Sequence, residues 1–354
     1  LFPYWLLFSL FAAGAVQFRA DPRRLRQGGP LLLGMGLFTT LMIGFRYEVG
    51  GDWINYVDIF HAISDYGLNG PRSQDPGYGV LNVIAARTGT GIWFINLMCS
   101  IFFTWGLVKF ARRQPNPWLV MAVSVPYLII VVAMGYTRQG VAIGFILAGL
   151  ADLERGSLVR FAFLMLLATI FHKSAVVVVP LVALTATRNR FVTAVLMLMT
   201  ALLLYYLFLQ ASVDRLMINY VDAEAQSQGA AIRVGMNIPP ALIFLIYRKR
   251  FQLNPQQDKL WRNFSYGALL ALAMLLFTSA STAVDRLALY LIPLQMFVWG
   301  RVPRAFPDRG RLNMQITIAL LIYSAAIQFV WLNYATNAFA WLPYRIGITY
   351  DDVD

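Results

Sequence analysis

The residues of this chain best equipped for chemistry are arginines and carboxylates set at the ends of apolar runs. Arg138 and Gln139 stand where a polar turn gives way to a long apolar stretch, YTRQGVAIGF. An arginine fork matches two phosphate oxygens with parallel hydrogen bonds. A helix starting there adds unsatisfied N–H groups and a partial positive charge, so the position suits an anion. The plainer alternative is an arginine that snorkels to the lipid headgroups. Arg233 heads another apolar run in the same way, and Asp285–Arg286 and His172–Lys173 mark two further polar points. A local ion pair or helix cap would account for Asp285–Arg286. His172 could accept a proton near neutral pH, although a lone histidine is more often structural.

A second group lies in the stretch Phe45–Tyr78, the longest polar interruption of the chain. Arg46, Glu48 and Asp52 fall close together there, beside Tyr47, Trp53 and Tyr56. Aromatic faces with carboxylates are a usual way to hold a sugar, the ring supporting the apolar face of the pyranose. Tyr and Trp also collect at any membrane interface, so the aromatics alone carry little weight. Asp75-Pro76-Gly77-Tyr78 reads as a turn that begins a short helix. Asp58, Asp65 and Arg72 read as solvated loop.

The elements that must position these groups follow from composition. Of 354 residues, 59% are hydrophobic and 13% charged, against about 25% charged in soluble domains. Apolar runs of about 20 residues, each able to cross a bilayer, recur from end to end. The expected fold is therefore all-α, one polytopic transmembrane domain over 1–354. The single cysteine, Cys99, excludes an intrachain disulfide, and with only two histidines, His61 and His172, no metal site and no cofactor is expected. Leu1–Phe18, followed by the basic Arg19–Arg26, reads as a spanning helix rather than a leader peptide. The net charge of +12 is spread over the gaps between spans, which excludes a nucleic-acid face and sets orientation instead.

The spans fall near 1–18, 29–45, 91–110, 117–135, 138–153, 158–172, 174–187, 191–210, 232–247, 263–280, 284–300 and 312–335, about twelve crossings. One alternate set of gaps holds 20 of the 29 basic residues and five acids, and the other holds nine basic residues and twelve acids. The first set is read as cytoplasmic, which puts both termini outside. The outer face then carries a large loop over 46–90 with a short interfacial or re-entrant helix near 78–88, a second loop over 211–231 and a C-terminal tail over 336–354. Gly140 and Gly144 form a small-xxx-small pair suited either to close helix packing or to lining a site. Arg46, Arg138, Arg233, Arg286 and Arg345 all fall on the outer side with several carboxylates. That combination suits a ligand with a diphosphate and a polyhydroxylated part, such as a lipid-linked sugar.

The ordered motifs FRYEVGGDWINY, DPGYGVLN, YTRQGVA, FHKSA, VDRLALY and WLPYR, running over most of the chain, resemble the EpsG-like branch of the Wzy-type bacterial polysaccharide polymerases. The resemblance implies a metal-independent membrane glycosyltransferase of the bacterial inner membrane with its active site on the periplasmic or outer side. It would move a growing glycan from undecaprenyl diphosphate onto the non-reducing end of the next lipid-linked oligosaccharide. Besides this substrate, the implied partners are membrane lipid, a chain-length regulator and other polysaccharide assembly proteins. In that setting Arg138, Arg286, Arg46 and Arg233 would offset diphosphate charge, and the base would be Asp52, His172, Glu48 or Asp75, in that order. Trp53, Tyr56, Tyr78, Gln139, Asp285 and Tyr344 are the implied sugar contacts. One departure is that such polymerases often carry two large arginine-containing outer loops, whereas the second here is modest. The alternatives are a metal-dependent transferase using a polyprenyl monophosphate sugar, for which Glu48 and Asp52 would be the acidic pair, a lipid-linked-oligosaccharide flippase or other transporter, and an O-acetyltransferase.

Overall fold

The computed structural model describes residues 1–18, 22–69, 75–186, 229–277, 281–308 and 311–347. The described chain is helical, without strands. In chain order the helices are α1 (Phe2–Gln17), α2 (Pro22–Gly44), α3 (Trp53–Tyr66), α4 (Pro76–Thr88), α5 (Gly91–Ala111), α6 (Pro117–Ser124), α7 (Thr137–Leu153), α8 (Leu158–Phe171), α9 (Val178–Ala186), α10 (Ala230–Gly235), α11 (Ile238–Tyr247), α12 (Pro255–Phe277), α13 (Ser281–Ala288), α14 (Ile292–Ala305) and α15 (Met314–Tyr334). Among the described residues, four segments are long and apolar enough to cross a membrane: Gly91–Ala111, Ala230–Phe251, Pro255–Phe277 and Met314–Tyr334. Shorter apolar helices occupy Phe2–Gln17, Gly28–Gly44, Pro117–Ala133, Leu158–Phe171 and Lys173–Thr185. The expected span over 191–210 lies outside the described residues, as does the second outer loop over 211–231 except for 229–231, where α10 begins.

The helix boundaries follow local chemistry. Asn116 caps α6 by accepting from the Leu119 N–H at 3.1 Å, with Pro117 in the first turn where its missing donor is harmless. α6 continues as a π-helical segment over Val125–Ala133, with Pro126 in its first turn. Proline cannot donate to the helical ladder, and wider turns are a common response to such an interruption. α4 begins at Pro76 and ends on Gly89, whose φ of 65° is the left-handed conformation that glycine adopts without strain. Asn313 caps α15, accepting from Ile316 N–H at 3.1 Å.

The chain forms two compact units, Leu1–Lys173 with Phe306–Asp354, and Ser174–Ala305. In the first, α5 packs on α2, α4 and α7, and α7 on α8. Contact between α5 and α7 is backbone on backbone: a Cβ at Gly106 would lie 1.9 Å from the Gly144 carbonyl oxygen, and one at Gly144 would lie 2.6 Å from Phe103 Cα. Gly140 sits similarly against Ala133, its added Cβ 3.1 Å from that Cα. The small-xxx-small pair is therefore close packing.

The stretch 46–90, expected as a large loop with one short helix, also holds α3, a 14-residue helix whose face of Trp53, Tyr56, Ile59, Phe60 and Ile63 is buried. The expected tail after α15 packs on the rest of its unit as far as residue 347. Trp341, 2% exposed, donates its indole N–H to the Ile130 carbonyl at 2.7 Å, and its own carbonyl accepts from the Tyr4 hydroxyl at 2.7 Å. Backbone bonds from Tyr47 N–H to Arg345 O (3.0 Å), Gly347 N–H to Phe45 O (3.2 Å) and Gly50 N–H to Ala340 O (2.8 Å) strap this segment to the turn after α2.

In the second unit, Trp261 of α12 stacks on Phe297 of α14 at 3.9 Å between centroids, with Phe244 and Phe264 beside them. Val234, Val284 and Ala288 form a smaller apolar cluster.

Candidate functional site

The first turn of α7 carries Arg138, and its Nη1 donates to Asp75 Oδ2 at 2.6 Å. Asp75 is the residue before α4. It offers no side-chain cap to its own helix and is only 6% exposed, its carboxylate being turned to Arg138 instead. The Lys173 backbone N–H, just past α8, also donates to this carboxylate. Three elements therefore meet on one carboxylate: the starts of α4 and α7 and the end of α8. Gly77 makes the approach of α4 to α8 possible, because a Cβ there would fall 2.7 Å from Ile170 Cγ2 and 3.0 Å from the Phe171 ring.

Two tyrosines close the pair from the side. Tyr56 of α3 and Tyr78 of α4 have ring centroids 5.5 Å apart. The Arg138 guanidinium lies 5.9 Å and 6.0 Å from those centroids, within cation–π reach, and hydrogen-bonds the Tyr56 side chain. Burial raises Asp75 above the usual carboxylate range, and the opposing pull of Arg138 does not cancel it. Burial likewise pushes the Tyr56 phenol up to about 12, with the Asp52 charge adding to the rise, and Tyr78 well above its ordinary value. Both phenols thus remain neutral. Chemically the site offers a fixed cation, a carboxylate with raised basicity and two aromatic faces.

The other candidates of this unit are placed as follows. Arg46 is 1% exposed, and its guanidinium donates to the carbonyls of Val49 (3.2 Å), Met134 (3.0 Å) and Ile43 (2.6 Å) and to Thr137 Oγ1 (2.7 Å). It thereby ties the turn after α2 to the residue next to Arg138, and burial pushes its pKa down. Glu48 is exposed and paired with Arg345. Asp52 precedes α3 and is half-buried, close enough to Tyr56 to act on it electrostatically. Trp53 is buried against Tyr47 and Trp93, at 5.9 Å and 6.1 Å. Tyr344 donates its hydroxyl to the Met42 carbonyl at 2.7 Å. Gln139 is buried, and His172 ends α8 half-buried, one residue before Lys173.

The second unit holds its own buried ion pair, Arg233 Nη2 to Asp285 Oδ2 at 2.6 Å, joining α10 to α13. Next to it, Asn237 accepts from Gln295 at 2.8 Å and donates to the Ala288 carbonyl at 3.4 Å. Asp285 is turned inward and Arg286 outward. The described ion pair of Asp285 is with Arg233, on another helix. Among the described residues, no three His, Cys, Asp or Glu side chains gather as a metal-ligand set.

In the sequence Asp75 reads as a turn residue, last among the candidate bases, whereas the structure turns its carboxylate to Arg138.

The EpsG family model matches residues 31–346. No curated protein and no solved structure matches the chain. Over that span lie both ion pairs, Asp75 with Arg138 and Arg233 with Asp285, so the match takes in both candidate sites, and the chain belongs to the EpsG family, among the membrane proteins of polysaccharide biosynthesis.

Proposed function

We propose that the chain is a polymerase that joins lipid-linked oligosaccharide repeat units on the outer face of the bacterial inner membrane, with the Asp75–Arg138 pair as its reacting centre. The observation that carries this reading is the 2.6 Å contact between the two side chains, framed by Tyr56 and Tyr78. The charge alternation of the gaps supports about twelve crossings with the start of α7 facing out.

In this mechanism the acceptor hydroxyl of the next unit gives its proton to Asp75. The freed oxygen lone pair attacks the anomeric carbon of the growing glycan. The bond from that carbon to the phosphate oxygen breaks, and the electron pair leaves on the undecaprenyl diphosphate. Arg138 meets the negative charge that develops there, a form of electrostatic stabilisation worth about 10²–10³ in rate for one donor. The diphosphate competes with Asp75 for the guanidinium. As Arg138 turns to the phosphate, Asp75 loses the cation that holds its pKa down and becomes a stronger base when substrate is present. Tyr56 and Tyr78 supply apolar faces for the sugar next to the reacting bond.

The remaining candidates take supporting roles. Arg46 positions Thr137 and so the start of α7, and Asp52 and His172 border the site as acceptor-side contacts. Arg233 with Asp285 is a second cation–carboxylate centre. Arg286 is exposed beside Asp285 and takes a place at the rim of that second centre.

The test is reconstitution of the purified protein in liposomes with a short lipid-linked repeat unit and EDTA, followed by resolution of products by length. A ladder of multiples in the wild type, lost in Arg138→Ala, is expected. Movement of substrate between leaflets without a ladder would overturn the reading in favour of a flippase. A ladder restored only by added metal would overturn its metal-free chemistry.

A further inference from the structure

Far along α5 from this site, an open groove runs between α2 and α5. It has a volume of about 560 Å³, within the usual range of ligand pockets. Its wall is apolar: Leu33 and Leu37 on α2 and Ile101, Trp105 and Val108 on α5, on one helical stripe each. Four of these side chains are open to the surroundings, Leu33 at 51%, Leu37 at 60%, Ile101 at 40% and Trp105 at 46% exposed. Gly36 deepens the floor, since a Cβ there would already press on Val108 at 3.1 Å. One end is closed by cations: Lys109, Arg112, Arg113 and Arg155.

The cations differ in availability. Lys109 is committed to Asp152 of α7 at 2.7 Å and lies 4.9 Å from the Trp105 ring. Arg112 and Arg155 are exposed and Arg113 is half-buried. The groove thus joins an apolar trough, matched to a hydrocarbon chain, to a cluster of arginines at its end. That polarity is the polarity of an anionic lipid, with tail along the wall and phosphate at the rim. A zwitterionic headgroup would bring its own cation against the arginines. A soluble anion would leave the apolar wall exposed to water.

We propose that this groove is a binding site for an anionic glycerophospholipid of the leaflet opposite the reacting centre. The headgroup phosphate is held by Arg112, Arg113 and Arg155, and one acyl chain lies against Leu37, Ile101 and Trp105. Such a lipid would wedge α2 against α5, the helix on which α4 and α7 rest.

Trp105 is a built-in reporter. The full-length protein is placed in phosphatidylcholine nanodiscs, and the difference in emission between wild type and Trp105→Phe isolates this indole. Brominated phosphatidylglycerol is then titrated against brominated phosphatidylcholine. Saturable quenching by the first, and only proportional quenching by the second, is expected. Arg112→Gln, Arg113→Gln and Arg155→Gln should each weaken the saturable phase by about fivefold. Leu37→Phe, which fills the trough without touching the charge or adding an indole, should reduce it as well. Equal quenching by the two lipids, or a saturable phase indifferent to the arginine changes in protein that keeps its helical circular dichroism, would overturn the proposal. Displacement of the brominated lipid by polyprenyl monophosphate at lower mole fraction would also overturn it, by assigning the groove to the carrier.

Discussion

At the scale of residues, the unit holding Arg46 and Arg138 uses two arginines in opposite ways. Arg46 is sealed in a cage of carbonyls, and Arg138 faces a carboxylate and two rings. Replacing either by lysine therefore separates structure from chemistry. Arg46→Lys removes the fork that reaches several carbonyls at once, each worth about 1–3 kcal/mol when left unpaired. It should lower the thermal midpoint measured by circular dichroism. Arg138→Lys keeps the charge beside Asp75 and should leave the midpoint nearly unchanged while slowing glycan transfer by about 10²–10³. The direction of the Asp75 shift gives a third outcome. A base must be ionised to work, and burial raises Asp75 above the ordinary carboxylate value of about 3.9. The transfer rate should accordingly fall on the acid side through a pKa above that value, and in kcat/KM, which reports the free enzyme, the limb of the residual activity should move to higher pH in Arg138→Ala, where the cation that lowers it is gone.

At the scale of elements, the site exists because α4 and α7 start where α8 ends, and Gly77 lets α4 approach α8. Gly77→Val would drive a branched side chain into Ile170 and Phe171, separating α4 from α8 and pulling Asp75 off the Lys173 N–H. Loss of transfer with retained expression is expected. Gly135 faces Trp341 so closely that a Cβ would lie 2.3 Å from its ring. The strap carrying Trp341 is the larger surprise relative to the sequence. WLPYR reads as an outer tail because nothing in its composition distinguishes a solvated strand from one that pairs with a distant turn. The decisive partners, Ile130 and Tyr4, are 211 and 337 residues away. Trp341→Ala should cost about 3–5 kcal/mol, read as a lower unfolding midpoint. Length and hydropathy are local properties, so one span, expected over 91–110, is found as Gly91–Ala111, whereas the span expected over 263–280 is found as Pro255–Phe277, its start extended by a polar first turn. α3 escaped because its charged residues, Asp58 and Asp65, mask a buried stripe that recurs at helical spacing.

At the scale of the whole molecule, the family was legible from six short motifs in order, and the pairing of Asp75 with Arg138, 63 positions apart, was not. Each residue of that pair was visible as a helix start, but which helix starts meet is a property of packing. Orientation can be read independently of activity. Cys99 is the single cysteine and is buried, so a Cys99→Ala background carrying Tyr66→Cys or Arg155→Cys reports one position at a time. A membrane-impermeant maleimide should label position 66 on intact spheroplasts and position 155 only after permeabilisation; the reverse pattern would place the reacting centre on the wrong side for an exported glycan. The most direct test of the central claim is the rate of the first linkage between two lipid-linked repeat units, followed in proteoliposomes with wild type and Asp75→Asn. Asparagine keeps the size of the side chain and removes the base. Normal retention of the lipid-linked unit with a rate about 10²–10⁴ lower is expected, whereas a rate close to wild type would show that Asp75 takes no proton and that the reacting centre lies elsewhere.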